Sequence, residues 1–244
     1  MRSLTLAYLA RNSCWITSIW SGSVMSKDDS QRSHYASITA KATVSVSVTG
    51  IVTRNFALQH MKGSIYFAKR AEDIEKSGIE QGFGSWFDGF RHYFVATILL
   101  SSACIEALYS EIVVDCCLSR ALLKERGRLV DRLKLLNKHL DGNPIQLGRP
   151  PGQHLRAIMK LRDSLVHPEP GSDVDPGKHK DVITEMEKVF HGKVCSPSFA
   201  GENTVLRYFT YRVSNWATRT CQLFAVELLE ATNQKKKAEQ FRSL

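Results

Sequence analysis

The sequence lacks the short glycine-rich motifs that mark common nucleotide-binding and hydrolytic enzymes. It contains no P-loop, no G-x-G-x-x-G after a strand and no G-x-S-x-G, so nothing predicts a nucleotide hydrolase, a dinucleotide enzyme or a serine hydrolase. Its six cysteines form no C-x-x-C pair, and neither cysteines nor histidines show metal-ligand spacing. We therefore expect no metal, no cofactor and a reducing, cytoplasmic location.

Long apolar runs without charge are also lacking. The most apolar stretch, Phe94–Leu118, contains three carboxylates, those of Glu106, Glu111 and Asp115. Ionised side chains are expensive inside a bilayer. We therefore expect no membrane span and interpret this stretch as a buried helix.

The N-terminal segment lacks the uninterrupted apolar core of a signal peptide. Its short run Leu4–Leu9 is followed by Arg11 and Asn12 before such a core is complete. A second methionine, Met25, precedes Ser-Lys-Asp-Asp and is typical of a natural N-terminus. Residues 1–34 are accordingly predicted to be poorly ordered, with Met25 as an alternative start.

Positive charge is what the sequence has in excess. It holds 33 Lys and Arg against 24 Asp and Glu, a formal net charge of +9, which favours an acidic partner such as nucleic acid. Part of the excess is concentrated between residues 120 and 138. The predicted nucleic-acid contacts in this stretch are Arg120, Lys124, Arg128 and Arg132. The alternative interpretation is a solvated helix face with no ligand.

One segment near the N-terminus has the pattern of a β-strand. Val44, Val46 and Val48 alternate with Ser and Thr, as in a half-buried strand. A lone strand is not stable, so it must pair with a partner chain, fold as a hairpin on helices or remain an extended arm. Residues 35–89 are predicted to be this β arm followed by a first helix, Phe56–Lys76, which Gly78 ends.

The rest of the chain has helical periodicity. Residues 90–232 are predicted to be the main helical domain and residues 233–244 a basic polar tail that frays. The predicted helices are Phe90–Leu118 at the centre, then Ser119–Leu140, Gln153–His167, Lys178–His191 and Thr204–Thr232. The predicted fold class is therefore mostly all-α, an antiparallel bundle of four to five helices with a short N-terminal β arm.

The segment Leu161–Pro170, LRDSLVHPEP, combines side chains suited to phosphodiester chemistry. Arg162 interrupts the apolar stripe of its helix, so its guanidinium should face a carboxylate, a subunit interface or a phosphate-binding cleft. His167 ends the helix, where the macrodipole favours the imidazolium. A histidine can move protons in metal-independent RNA cleavage, while an arginine stabilises charge growing on the phosphate.

Arg162, Asp163 and His167 resemble the hallmark of the HEPN family, an arginine, a polar residue, a few further positions and a histidine on a late helix of a bundle. The resemblance covers roughly residues 90–232. Glu106, in SSACIEAL, also looks like the acid of an early bundle helix in that family. Asp163 stands where many active members carry asparagine.

The resemblance implies a dimer that brings two such motifs together, and metal-independent ribonuclease activity in many members. We expect RNA and a second copy of the chain as partners, with an antitoxin or another protein as a further candidate, in a toxin or defence setting. Arg162 and His167 would be catalytic, with Asp163 and Glu106 supporting. Glu106 could orient Arg162, or it could be a buried carboxylate with a structural role. The alternative function is a non-catalytic helical module that binds RNA or protein.

Overall fold

The computed structural model describes residues 55–79, 84–118, 121–124, 127–140, 144–166, 180–191 and 205–244, and within these ranges it is helical and has no strand. The longer helices are α1 (Phe56–Gly78), α2 (Trp86–Asp115), α5 (Gly152–Val166), α6 (Lys180–Phe190) and α7 (Tyr211–Ala231). Three shorter ones are α3 (Ala121–Lys124), α4 (Leu129–Asn137) and α8 (Lys235–Arg242), and a 3₁₀ turn covers Val205–Tyr208. The all-α class is confirmed for these residues. The predicted β arm and residues 1–34 lie outside them.

Three helices, α1, α2 and α7, meet in the core around a network of small hydroxyl groups. The hydroxyl of Ser64 lies 2.6 Å from that of Ser101 and 2.8 Å from that of Thr218, and it donates to the carbonyl of Thr97. All four residues are buried. Since buried polar groups are costly without partners, this network fixes how the three helices face one another.

Two helices begin against carboxylates supplied by other parts of the chain. The N–H of Ala57, at the start of α1, donates to Glu111 on α2 over 3.1 Å. The N–H of Tyr211, at the start of α7, donates to Glu75 on α1. Neither α1 nor α7 has an acidic residue in its own first turn. These distant carboxylates therefore satisfy N-terminal donors and oppose the positive ends of the helix dipoles.

The central helix begins earlier than the sequence predicted. Helix α2 starts at Trp86, whereas the prediction placed the start at Phe90. The reason is aromatic packing: Phe87 is buried and its ring lies 5.9 Å from that of Phe90 and 6.5 Å from that of Phe209. These buried ring contacts stabilise the first turn of α2, although glycine, which occurs there as Gly89, has a low helix propensity.

The prediction of one continuous helix over Ser119–Leu140 was wrong. Two separate helices, α3 and α4, occupy this stretch, with a bend at Gly127 and an extended backbone at Arg128 (ψ 148°) between them. Helix α4 then buries Leu129, Leu133 and Leu136. The break allows α4 to turn these leucines toward the core independently of α3.

The C-terminal segment was predicted to fray, but it forms helix α8. Phe241 is 1% exposed, and its carbonyl accepts a hydrogen bond of 2.7 Å from the side-chain amide of Gln222 on α7. Lys237 Nζ lies 2.6 Å from Asp115 and 3.7 Å from Glu111, both on α2. Helix α8 therefore contacts two core helices, α7 through a hydrogen bond and α2 through ion pairs.

Within the described residues, α2 alone is long and apolar enough to cross a membrane, as judged by length and composition. Of its most apolar window, 56% is buried inside the protein. A buried core helix passes the same test.

Candidate active site around Arg162

Arg162 lies on α5 among residues that face the core, as its position on the apolar stripe predicts. Leu155, Ile158 and Leu161 of the same helix are fully buried. The Arg162 side chain is 29% exposed, so its guanidinium lies at the edge of the core rather than inside it. The Arg162 guanidinium therefore contacts the protein on one side and solvent on the other.

The guanidinium is held by two carboxylates. Its Nη1 donates to Glu106 of α2 over 2.9 Å, while Nε and Nη2 donate to the same oxygen of Asp163 over 3.0 and 2.8 Å. A guanidinium has five N–H donors. Three are used in these bonds, so one on each terminal nitrogen is left to meet a further acceptor.

Of the three surroundings expected for Arg162, a carboxylate, a subunit interface or a phosphate-binding cleft, the structure shows the carboxylate of Glu106 in direct contact with it. Glu106 is 56 positions away in the sequence and its side chain is 35% exposed. Asp163 is more open, at 54%. Glu106 therefore acts as the fixed partner from another helix, whereas Asp163 is a local partner on a more exposed side chain.

A groove with a cavity volume of about 630 Å³ opens beside Arg162. One wall is α5, and the others are α4 with the preceding Arg128 and the first turn of α6. The cationic lining residues are Arg128, Lys134, Arg156, Lys160 and Arg162, and the acidic ones are Asp131, Asp163 and Asp181. Leu129, Val130, Met159 and Val182 give it apolar surface as well. A groove of this composition can take an anionic ligand that also has apolar parts.

The predicted site residues are only partly brought together. Arg162, Asp163 and Glu106 form one cluster, and Arg128 lines the groove beside it. His167 directly follows the last described residue of α5 and, like Arg120, lies outside the described residues; Lys124 belongs to α3, but its side chain is outside them too.

Arg132, predicted as a nucleic-acid contact, lies away from the groove and next to an aromatic ring. Its guanidinium lies over the ring of Tyr109, 5.1 Å from the centroid, and Arg132 is not among the residues that line the groove. Such a contact is worth about 1 kcal/mol. This arginine is therefore engaged with the core helix α2 on which Tyr109 lies.

Three cations of the groove were not among the predicted site residues: Lys134 of α4, and Arg156 and Lys160 of α5. Arg156 and Lys160 are four residues apart on α5. The spacing of Arg156 and Lys160 could have indicated a shared basic helix face, since residues four apart lie on the same side of a helix.

A second arginine–histidine pair with the same spacing, Arg149 and His154, has a different setting. Arg149 is exposed ahead of α5, and the His154 ring lies 5.7 Å from that of Trp216. Burial lowers the pKa of His154 because it penalises the charged form. Among the described residues there is no group of three potential metal ligands.

Comparisons with known proteins add no relative: no protein-family model matches the chain, and searches of curated proteins and of solved structures find no match.

Proposed function

We propose that the protein is a HEPN-like, metal-independent endoribonuclease that acts in the cytoplasm. The observation that carries the proposal is the Glu106–Arg162 ion pair of 2.9 Å, which holds a partly exposed guanidinium beside an open groove. An arginine on an otherwise apolar helix face is costly unless its charge is used. The pattern Arg162, Asp163 and His167 supports the same conclusion by its resemblance to the family.

In the proposed reaction, Arg162 stabilises the negative charge that grows on the phosphate, through the N–H groups that Glu106 and Asp163 leave unused. His167 takes the proton of the attacking 2′-hydroxyl or gives a proton to the leaving 5′-oxygen. The new P–O bond closes a 2′,3′-cyclic phosphate as the bond to the 5′-oxygen breaks. No net proton is consumed when one imidazole donates and a second accepts.

A second copy of the chain is the proposed source of that second imidazole. Residues five apart are about 140° apart around an ideal helix, so the spacing of Arg162 and His167 in the sequence favours a pairing between two chains over one within a chain. Supporting this arrangement, α2 carries a half-buried face that includes Glu106. The uncharged members of this face are Val95, Leu99, Ala103 and Ser110, which are separated by one or two helical turns.

The dimer is tested by changing this face. We expect Leu99→Glu to convert a dimer to a monomer in light scattering and to abolish cleavage, because a charge there would be buried without a partner. Leu223→Glu is the matched control, since Leu223 is an exposed leucine on α7. A wild-type protein that is monomeric while cleaving RNA would contradict the dimer.

The alternative is a non-catalytic module that binds RNA or protein, and one observation favours it. Arg162 is already bonded to two carboxylates, as in a structural ion pair that only links α2 to α5. In that case the same groove would bind without cleaving.

The nuclease proposal is tested by RNA cleavage in the presence of EDTA. Arg162→Ala and His167→Ala should each lower the rate at least about a hundredfold, as loss of an acid–base group does. Arg149→Ala and His139→Ala are matched controls, since both residues are exposed and neither lines the groove. Absence of cleavage by the wild type on varied RNAs would refute the nuclease and favour the binding module.

A further inference from the structure

Two arginines of the groove form no close ion pair among the described residues, although Arg156 lies near enough to Glu185 to interact with it electrostatically. Arg128 and Arg156 both line the groove and both are exposed. Among the ion pairs of the described residues, neither takes part in one, whereas the other three cations of the groove do. Lys134 pairs with Asp131 at 3.0 Å, and Arg162 pairs with Glu106 and Asp163.

The acids of the groove have other roles. Asp131 and Asp181 lie in the first turns of α4 and α6, where a carboxylate opposes the positive end of the helix dipole. Lys160 lies 3.9 Å from Asp181 and 3.6 Å from Glu185. These acids therefore stabilise helix ends and pair with lysines. Glu185 also interacts with Arg156 at longer range, while Arg128 and Arg156 both remain exposed in the groove.

The positions of both arginines are unfavourable for the helices that carry them. Arg128 is the N-cap of α4, without a side-chain cap hydrogen bond, and a cation there opposes the helix dipole. Arg156 precedes Lys160 by one turn on α5, and like charges at that spacing destabilise a helix. Local rules are broken in this way mainly at functional sites.

We infer that Arg128 and Arg156 form a phosphate-binding subsite that holds the RNA strand beside the phosphate at Arg162. The inference rests on the proposed function for the identity of the ligand. Phosphates attract arginine strongly because the guanidinium meets their oxygens with two parallel N–H groups. Of the apolar residues that line the groove, Leu129, Met159 and Val182 are buried, so the partly exposed Val130 is the one that contacts a base of the strand.

The size of the groove fits a single strand. Its volume of about 630 Å³ lies in the range of ~300–1,000 Å³ that takes a ligand of about nucleotide size. A strand with unstacked bases enters such a groove locally, whereas a duplex presents its backbone only as a broad surface.

The test is binding of a fluorescein-labelled 2′-O-methyl oligouridine, measured by fluorescence anisotropy at several salt concentrations. This probe lacks the 2′-hydroxyl that cleavage requires, so the wild type binds it without cutting. Arg128→Ala and Arg156→Ala should each weaken binding about tenfold. Each should also reduce the slope of log K against log salt by about 0.7, the value per phosphate contact for a single strand.

Arg149→Ala is the charge-matched control and should leave both affinity and slope unchanged. Equal weakening by Arg149→Ala and Arg156→Ala, or unchanged slopes in the groove variants, would overturn the subsite. Circular dichroism melting checks that the variants stay folded, which alanine favours at helical positions.

The outcomes separate this subsite from the nuclease proposal. Probe binding that depends on both arginines, in a protein that cleaves no unmodified RNA, supports the subsite and refutes the nuclease. Cleavage that requires Arg162, with probe binding insensitive to Arg128→Ala and Arg156→Ala, overturns the subsite alone.

Discussion

Replacing Glu75 by glutamine should stabilise the protein at alkaline pH and have little effect at acidic pH. Glu75 is 4% exposed, and it accepts the N–H of Tyr211 at the start of α7. Burial raises the pKa of Glu75 to about 7, against the opposing effects of the Tyr211 N–H and of the Arg212 charge. Glutamine has the same shape, keeps an oxygen for Tyr211 and carries no charge to bury.

The magnitude follows from the difference in the pKa of Glu75 between the unfolded and folded states. Below pH 4.5, the ordinary value of this carboxyl, it is protonated in both states and has no effect on stability. As the pH rises to about 7, the unfolded chain releases the proton while the folded chain retains it, so stability falls. Above pH 7 the loss is complete, at about 3 kcal/mol for a shift from 4.5 to about 7.

The assay is thermal or urea unfolding of the wild type and Glu75→Gln at pH 4 and pH 8. A gain of about 3 kcal/mol corresponds to a rise in Tm of ~6–12 °C for a protein of this size. Glu72→Gln is a control with the opposite sign, because a hydrogen bond from Lys76 lowers the pKa of Glu72 and the pair is lost in the variant. A Glu75→Gln variant that is no more stable than the wild type at pH 8 would show that helix-dipole stabilisation of the charged carboxylate outweighs burial.

Three further substitutions test the site and the core. Glu106→Gln should change the free energy of unfolding by less than about 1 kcal/mol, since its partner Arg162 is partly exposed, yet it should slow RNA cleavage. A variant that loses cleavage only because it unfolds would indicate a purely structural ion pair. Phe241→Ala should lower the free energy of unfolding in urea by about 3–5 kcal/mol because the ring is buried. If the C-terminal segment were frayed, the substitution would have no effect, as is expected for the control Lys236→Ala at an exposed position. Ser64→Ala should lower the free energy of unfolding by about 1–3 kcal/mol, since it removes a hydrogen-bond partner of the Ser101 and Thr218 hydroxyls. An unchanged urea midpoint would mean that the hydroxyl network does not contribute to stability.

Helix positions were predictable where apolar residues recur at helical spacing. The first helix was expected over Phe56–Lys76 with Gly78 as its end, and α1 covers Phe56–Gly78. Gly78 has to be small, because a Cβ there would lie 2.3 Å from the Trp86 ring. The helix before His167 was placed within one residue of its observed start. Such patterns are local, so the sequence carries them directly.

Contacts between distant residues were not predictable in the same way. The sequence offered Glu106 as either a partner of Arg162 or a structural carboxylate, and the 56 positions between them leave that choice to the packing of α2 against α5. It gave no sign that Glu75 meets Tyr211, 136 positions away. The groove cations Arg156 and Arg128 were likewise brought together by the turn of α4 after Gly127.

The sequence by itself determined the helical class of the described residues and the apolar stripe that Arg162 interrupts, because both follow from the spacing of side chains along one helix. Tertiary structure decided which carboxylates contact that arginine, which cations line the groove beside it, and that the C-terminal helix buries Phe241. The physical reason is that burial and charge pairing depend on which helix faces overlap, and overlap is set by the packing of the whole core.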